Sequence, residues 1–244
     1  MGPNRLLRVK RQVLKQPFLR FLLCAVLVFS GCSGQPPELA QIFWQLNVVQ
    51  NTEDSSQYEE LSLFLHAEDP DGLEDIDRIE LLHAPQELLW SFSPSEWRVV
   101  EREGATWIGT VGIRSASTRT IPRGEYRVRL SDKAGESVET KFIMSGDITG
   151  LQRGELAGRR FPQAQVTPQA VQLSSDSGEL LVSLYDSEGG FIRSELVETA
   201  ADGSVSINNW PARWSGAHSI RLQQYDAARG FGLVSGPHKL PAEQ

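Results

Sequence analysis

The sequence predicts an all-β fold, arranged as two tandem β-sandwiches. Three observations point there. Apolar residues recur at every second position over strand-length runs, the period of a strand with one buried and one solvated face. Asp-Gly, Gly-Gly and Pro turn signals separate these runs, the punctuation of sandwiches rather than of packed helices. From Ile42 onward no stretch carries the pattern of a long helix.

The chain begins differently from the way it continues. Its 244 residues include 24 Lys or Arg, 31 Asp or Glu and 4 His, a net charge of −7. The first 37 residues carry six basic side chains and no acidic one, so the remainder holds a net −13. That acidic body argues against nucleic acid as a partner, because phosphate binding needs a basic face. The basic start leads into Phe21-Leu-Leu-Cys-Ala-Val-Leu-Val-Phe29. Nine residues make about 14 Å of helix, too short for a hydrocarbon core of about 30 Å. Residues 1–31 therefore read as an export signal.

The segment Phe29-Ser30-Gly31-Cys32 resembles the lipobox of bacterial lipoproteins, with Phe29 bulkier than the usual Leu. The resemblance implies a diacylglycerol thioether on Cys32, cleavage before it, and acylation of the new amino group. Each buried lipid CH₂ contributes about 0.8 kcal/mol, so two or more chains anchor stably. An ordinary secretory signal or a short hydrophobic anchor is the alternative. Charge, run length and the small-small-Cys sequence together favour the lipobox. Cys24 falls in the discarded run and reads as a small apolar residue. Residues 32–37, the lipidated Cys followed by Ser-Gly-Gln-Pro-Pro, form a short tether. Ser33 in place of Asp implies, by the sorting rule of enteric lipoproteins, the outer membrane where the host has one.

The strands follow in order. Leu61, Leu63, Leu65 and Ala67 fall on one face, and Ser62, Phe64 and His66 on the other. Tyr126, Val128 and Leu130 alternate with Arg127, Arg129 and Ser131, and Val138, Thr140, Phe142 and Met144 repeat the pattern. Gly146 to Gln165 breaks it with four glycines, Pro162 and three arginines, which reads as a domain boundary. Alternation resumes with Leu180, Val182 and Leu184, then Ile220 and Leu222. The expected organisation is a first sandwich over 38–145, a linker over 146–161, and a smaller sandwich over 162–244. Each has the size for its own core, the first the more independently stable.

The two units repeat each other weakly. Gly124 to Gly135 parallels Gly216 to Gly230, and Leu61 to Gly72 parallels Leu180 to Gly190. At Asp69–Gly72, Ile79–Leu82, Trp107, Gly124–Val128 and Asp132–Gly135 the first unit resembles bacterial immunoglobulin-like domains of exported proteins. The second unit departs more and is equally similar to a transthyretin-like sandwich. The resemblance implies display, spacing or ligand binding and no single chemistry.

Candidate sites were weighed against plain structural roles. Glu68 to Asp77 is the most acidic stretch, and Ca²⁺ takes six to eight oxygens. The EF-hand spacing fails, with Leu73 where a ligand would stand, and Asp, Pro and Gly are what a turn requires. No metal is therefore expected there, and no cofactor anywhere. Asp132-Lys-Ala-Gly135, Asp202-Gly203 and Gly189-Gly190 read as turns. Neither Gly-x-Ser-x-Gly nor His-Glu-x-x-His occurs, and His66, His83, His218 and His238 share no spacing. Trp107 and Tyr126 read as sandwich core. Trp90 and Trp97 flank Ser-Pro-Ser, and Trp210 and Trp214 flank Pro-Ala-Arg. These four are candidate binding residues that could stack on a sugar or a partner's apolar group, but lids on the sandwich ends are the favoured reading, because exposed aromatic clusters are uncommon on monomers.

The resulting expectation is a non-enzymatic, membrane-anchored lipoprotein of the cell envelope with a binding or structural role. Its partners would be membrane lipid through acylated Cys32 and a protein or glycan of the envelope. The competing class is a carbohydrate-binding module or envelope hydrolase with its site in the sandwich loops.

Overall fold

The structure, a computed structural model, describes residues 34–145, 160–227 and 230–241. The expected export signal, Cys32 and nearly all of the expected linker lie outside the described residues.

Eight strands come first: β1 (Glu38–Gln50), β2 (Gln57–Glu68), β3 (Ile76–His83), β4 (Leu88–Phe92), β5 (Arg98–Arg102), β6 (Ala105–Ile113), β7 (Gly124–Asp132) and β8 (Ser137–Met144). They form two layers, β1-β2-β6-β5 and β4-β3-β7-β8, with every pairing antiparallel. Alternation decides which side chains enter the core. Leu61, Leu63 and Leu65 of β2 meet Ile79 and Leu81 of β3 and Tyr126, Val128 and Leu130 of β7, all buried. Each such side chain contributes about 1.5–3 kcal/mol by leaving water.

Two polar devices hold the loop before β7. The fully buried Glu59 carboxylate accepts from the two terminal guanidinium nitrogens of Arg123, at 2.9 and 3.0 Å, and from the Ile121 N–H at 2.8 Å. The Tyr126 hydroxyl donates to the Pro122 carbonyl at 2.7 Å. Burial pushes the Tyr126 pKa well above that of an ordinary phenol, so the ring stays a neutral donor.

The second set comprises β9 (Gln163–Val166), β10 (Ala170–Ser174), β11 (Glu179–Tyr185), β12 (Phe191–Glu198), β13 (Ser204–Asn208), the one-turn helix α1 (Trp210–Arg213), β14 (Ser219–Asp226) and β15 (Phe231–Lys239). The sheet β13-β10-β9 faces β12-β11-β14-β15. Leu180, Val182 and Leu184 of β11 pack with Ile220 and Leu222 of β14, Leu173 of β10 and Trp214 beyond α1. The late halves of the sequence repeat are equivalent strands, since β7 and β14 each lie between the same kinds of neighbour. The early halves are not. β2 is the second strand of its unit and β11 the third.

The two sets share a sheet. β15 pairs in parallel with β1, from Leu46↔Phe231 to Gln50↔Ser235. The result is one eight-stranded sheet, β12-β11-β14-β15-β1-β2-β6-β5. Phe231 and Leu233 of β15 belong to the first core, beside Leu46 and Val48 of β1. Two buried clusters thus exist, and the last strand of the chain completes the one formed by the first.

Candidate functional site

The outer face of the eight-stranded sheet forms a cavity. The sheet curls until its edges touch, with the Arg98 guanidinium of β5 lying 3.4 Å from the centre of the Phe191 ring of β12. Inside the curl is a cavity of about 530 Å³, to which all eight strands contribute lining residues. That volume is within the usual range of ligand pockets, about 300–1,000 Å³.

The floor is polar. Arg221 of β14 donates to Glu60 of β2 at 2.9 Å. Gln223 donates to the Asn47 side-chain oxygen at 3.2 Å, and the Asn47 amide donates to Ser62 at 3.1 Å. The Arg221–Glu60 and Gln223–Asn47 contacts cross the β1–β15 seam, and the second needs Gly232, which lies beside Asn47. A Cβ at Gly232 would overlap the Asn47 side-chain oxygen and stand 2.8 Å from the Gln45 amide nitrogen. That nitrogen of Gln45, on the same floor, is buried and has no hydrogen-bond partner. An orphaned buried donor costs about 1–3 kcal/mol, and a ligand acceptor in the cavity would satisfy it. Burial works against the Arg221 charge, but Glu60, helped by Tyr185 and Tyr58, outweighs it and raises the Arg221 pKa. Burial, reinforced by the Glu60 charge, likewise raises the pKa of Tyr58.

The rim is apolar. Phe43 is 46% exposed, Val99 57%, Val100 41%, Phe191 37% and Ile192 38%, and all five line this cavity. Exposed large apolar side chains gathered at one concave place mark an interaction surface more strongly than the same residues scattered singly.

The aromatic residues singled out in the sequence lie elsewhere. Trp210 and Trp214 are buried in the second core. Their indole N–H groups donate to the Thr167 carbonyl at 2.9 Å and to Glu195 at 2.7 Å. Trp90 and Trp97 are half-buried against the first core, and Trp90 donates to the Arg114 carbonyl at 2.8 Å. The two pairs belong to different cores, and none of the four lines the cavity. Tyr126 is in the core as expected, but Trp107 is not. Leu65↔Ile108 pairing gives the inward position to Ile108 and turns Trp107 to the outer face, beside His66 with ring centres 5.5 Å apart.

One Ser–His contact escaped the sequence reading. His238 Nε2 lies 2.8 Å from the Ser235 hydroxyl. Ser235 is wholly buried and its proton is directed to the Pro162 carbonyl, so the pair acts as a cross-link rather than as a nucleophile and base. Burial lowers the His238 pKa.

The acidic loop between β2 and β3 is a turn, as its composition implies. Gly72 N–H donates to the Asp69 carbonyl at 3.0 Å and Asp71 N–H to the Asp69 side chain at 2.8 Å. The fold also crowds its carboxylates. Desolvation, then the charges of Asp132 and Asp69, raise the Asp75 pKa against the pull of Lys133.

No protein-family model matches this chain, and no curated protein is significantly similar to it. The surface geometry, rather than kinship, therefore has to carry any functional reading.

Proposed function

We propose that this chain is an exported lipoprotein of the bacterial cell envelope, held at a membrane through Cys32, that binds a ligand in the groove of its curled sheet. The observation that carries the binding role is the cavity itself, with an apolar rim around a polar floor on which the Gln45 donor is unsatisfied. Such a site suits an elongated ligand with apolar flanks and a central hydrogen-bond acceptor, drawn from the proteins or glycans of the envelope. The basic start, short apolar run and Ser30-Gly31-Cys32 support the anchor. Among the described residues no helix is long and apolar enough to cross a membrane.

The strand order of the first unit, with β1-β2-β6-β5 facing β4-β3-β7-β8, supports the immunoglobulin-like reading. So does the Tyr126–Pro122 bond, which has the form of a tyrosine corner at the start of β7. An immunoglobulin-like scaffold fits display of a binding face and does not itself specify chemistry.

The test is site-specific photo-cross-linking in intact cells. A photoreactive phenylalanine analogue at Phe43, on the groove rim, should capture a discrete partner. The same analogue at Ile143, 67% exposed on β8 of the other sheet, should not. Capture at Ile143 with none at Phe43 would refute the groove as the binding face.

A further inference from the structure

We infer that the pole of the first sandwich next to the tether holds a calcium ion, bound by Asp69, Asp71 and Asp75 of the β2–β3 loop together with Asp132 at the end of β7. The side-chain oxygens of the three loop residues come within 4.8 Å of one another. Oxygens on opposite sides of one Ca²⁺, each at about 2.3–2.6 Å, stand about 5 Å apart. The loop spacing alone fits poorly, which is why the sequence argued against a metal. The fold adds what the spacing lacks.

The independent observation is Asp132. It comes from a strand some 60 residues further along, is 3% exposed, and its Oδ2 is buried with no hydrogen-bond donor. Its other oxygen is held by the Glu136 N–H at 2.8 Å. Asp69 repeats the pattern, with Oδ1 held by the Asp71 N–H and Oδ2 buried and without a donor. A buried carboxylate oxygen without a donor is strongly disfavoured unless a cation meets it. One orphaned oxygen is in the loop cluster and the other on the strand that pairs beside it. Asp132 pairs across the sheet with Ile76, the residue after Asp75, and the Lys133 N–H donates to the Asp75 carbonyl at 2.9 Å. Asp132 Oδ2 and Asp71 Oδ2 flank Gly34, lying 3.4 and 3.5 Å from the point where a Cβ would stand there. The nearby cation, Lys133, directs its ammonium at the Glu74 carbonyl, 2.7 Å away. Four carboxylates that the fold gathers beside a single lysine match a hard, oxygen-seeking divalent ion, which would complete its shell with water.

The site also reaches the anchor. The Gln35 N–H donates to Asp71 Oδ2 at 2.9 Å, three residues after Cys32. A bound ion would fix the loop, β7 and the root of the tether to one another, and so set how the sandwich stands on its lipid.

The test is thermal unfolding and calorimetric titration of residues 33–244 after EDTA treatment, with CaCl₂ as the probe. At 100 times its dissociation constant Ca²⁺ adds about 2.7 kcal/mol, about 5–11 °C for a chain of this size. That rise should vanish in Asp132→Asn and fall by more than half in Asp71→Asn, whose exposed side chain makes it the safer variant to fold. No rise and no heat of binding in the wild type would overturn the site. So would a rise retained in full by Asp71→Asn, which would place the ion elsewhere.

Discussion

Replacing Arg221 by Met at the floor of the groove tests whether the two sandwiches are joined as described. Arg221 comes from β14 and Glu60 from β2, and their 2.9 Å contact spans the shared sheet. The Glu60 side chain is 5% exposed and that of Arg221 21%. Removing the cation strands a carboxylate in a nearly dry site. Breaking a buried pair costs about 3–5 kcal/mol, and the residual water access of Arg221 puts the expected loss near the lower end, about 3 kcal/mol. For a mature chain of this length that is a fall in Tm of about 6–12 °C. Glu60→Gln combined with Arg221→Met removes both charges and should recover most of the loss. A double-mutant cycle by urea unfolding, followed by tryptophan fluorescence, reads the coupling directly. Surface pairs contribute about 0–1 kcal/mol. A loss in that range for Arg221→Met, with no coupling to Glu60, would show the pair to be solvated and the sheet open at the seam.

Three further outcomes follow from the same contacts. Gly232→Val should destabilise the protein by at least about 2 kcal/mol, through the clash with Asn47 and overpacking of the seam, measured as a lower urea midpoint at unchanged m. For His238, burial holds the folded-state pKa below the ordinary value of about 6.5. The stability it contributes is present above that value and is lost as pH falls through the folded pKa, so His238→Gln should flatten the acid limb of a stability–pH profile. A fragment of residues 38–145 loses Phe231 and Leu233 from its core and the β15 cover of its β1 edge. It should melt well below the mature chain and regain stability when residues 160–244 are added in trans, as circular dichroism would show.

Much of the scaffold was legible because period 2 is a local signal. Leu61, Leu63 and Leu65, Tyr126, Val128 and Leu130, and Leu180, Val182 and Leu184 all point inward as their spacing implies. Parity failed where two large apolar residues are adjacent, as with Trp107 and Ile108. The register with β2, not the sequence of β6, decides which one is buried. Pairing was not legible at all. An alternating run names its faces but not its neighbours, so the parallel union of the first strand with the last leaves no local trace. The groove stayed hidden for that reason. Its floor is built from Gln45, Asn47, Ser62 and Gln223, residues that look like an ordinary solvated face until β1, β2 and β14 come together around β15. Phe64, apolar on the polar side of β2, was the one visible hint. The sequence places the four tryptophans in pairs around prolines but does not show their burial, which puts Trp210 and Trp214 inside the second core and Trp90 and Trp97 against the first. Asp132 is the same lesson at the acidic pole, where proximity to Asp75 exists only after β3 and β7 have paired.

A membrane anchor at Cys32 is the claim on which the biological reading rests, and metabolic labelling with a clickable fatty acid tests it most directly. Wild-type protein should carry the label, migrate as the processed form and sediment with membranes. Cys32→Ser should carry none and accumulate as the longer precursor. Equal labelling of both forms, or an unlabelled wild type released to the soluble fraction, would contradict a lipid anchor at this residue.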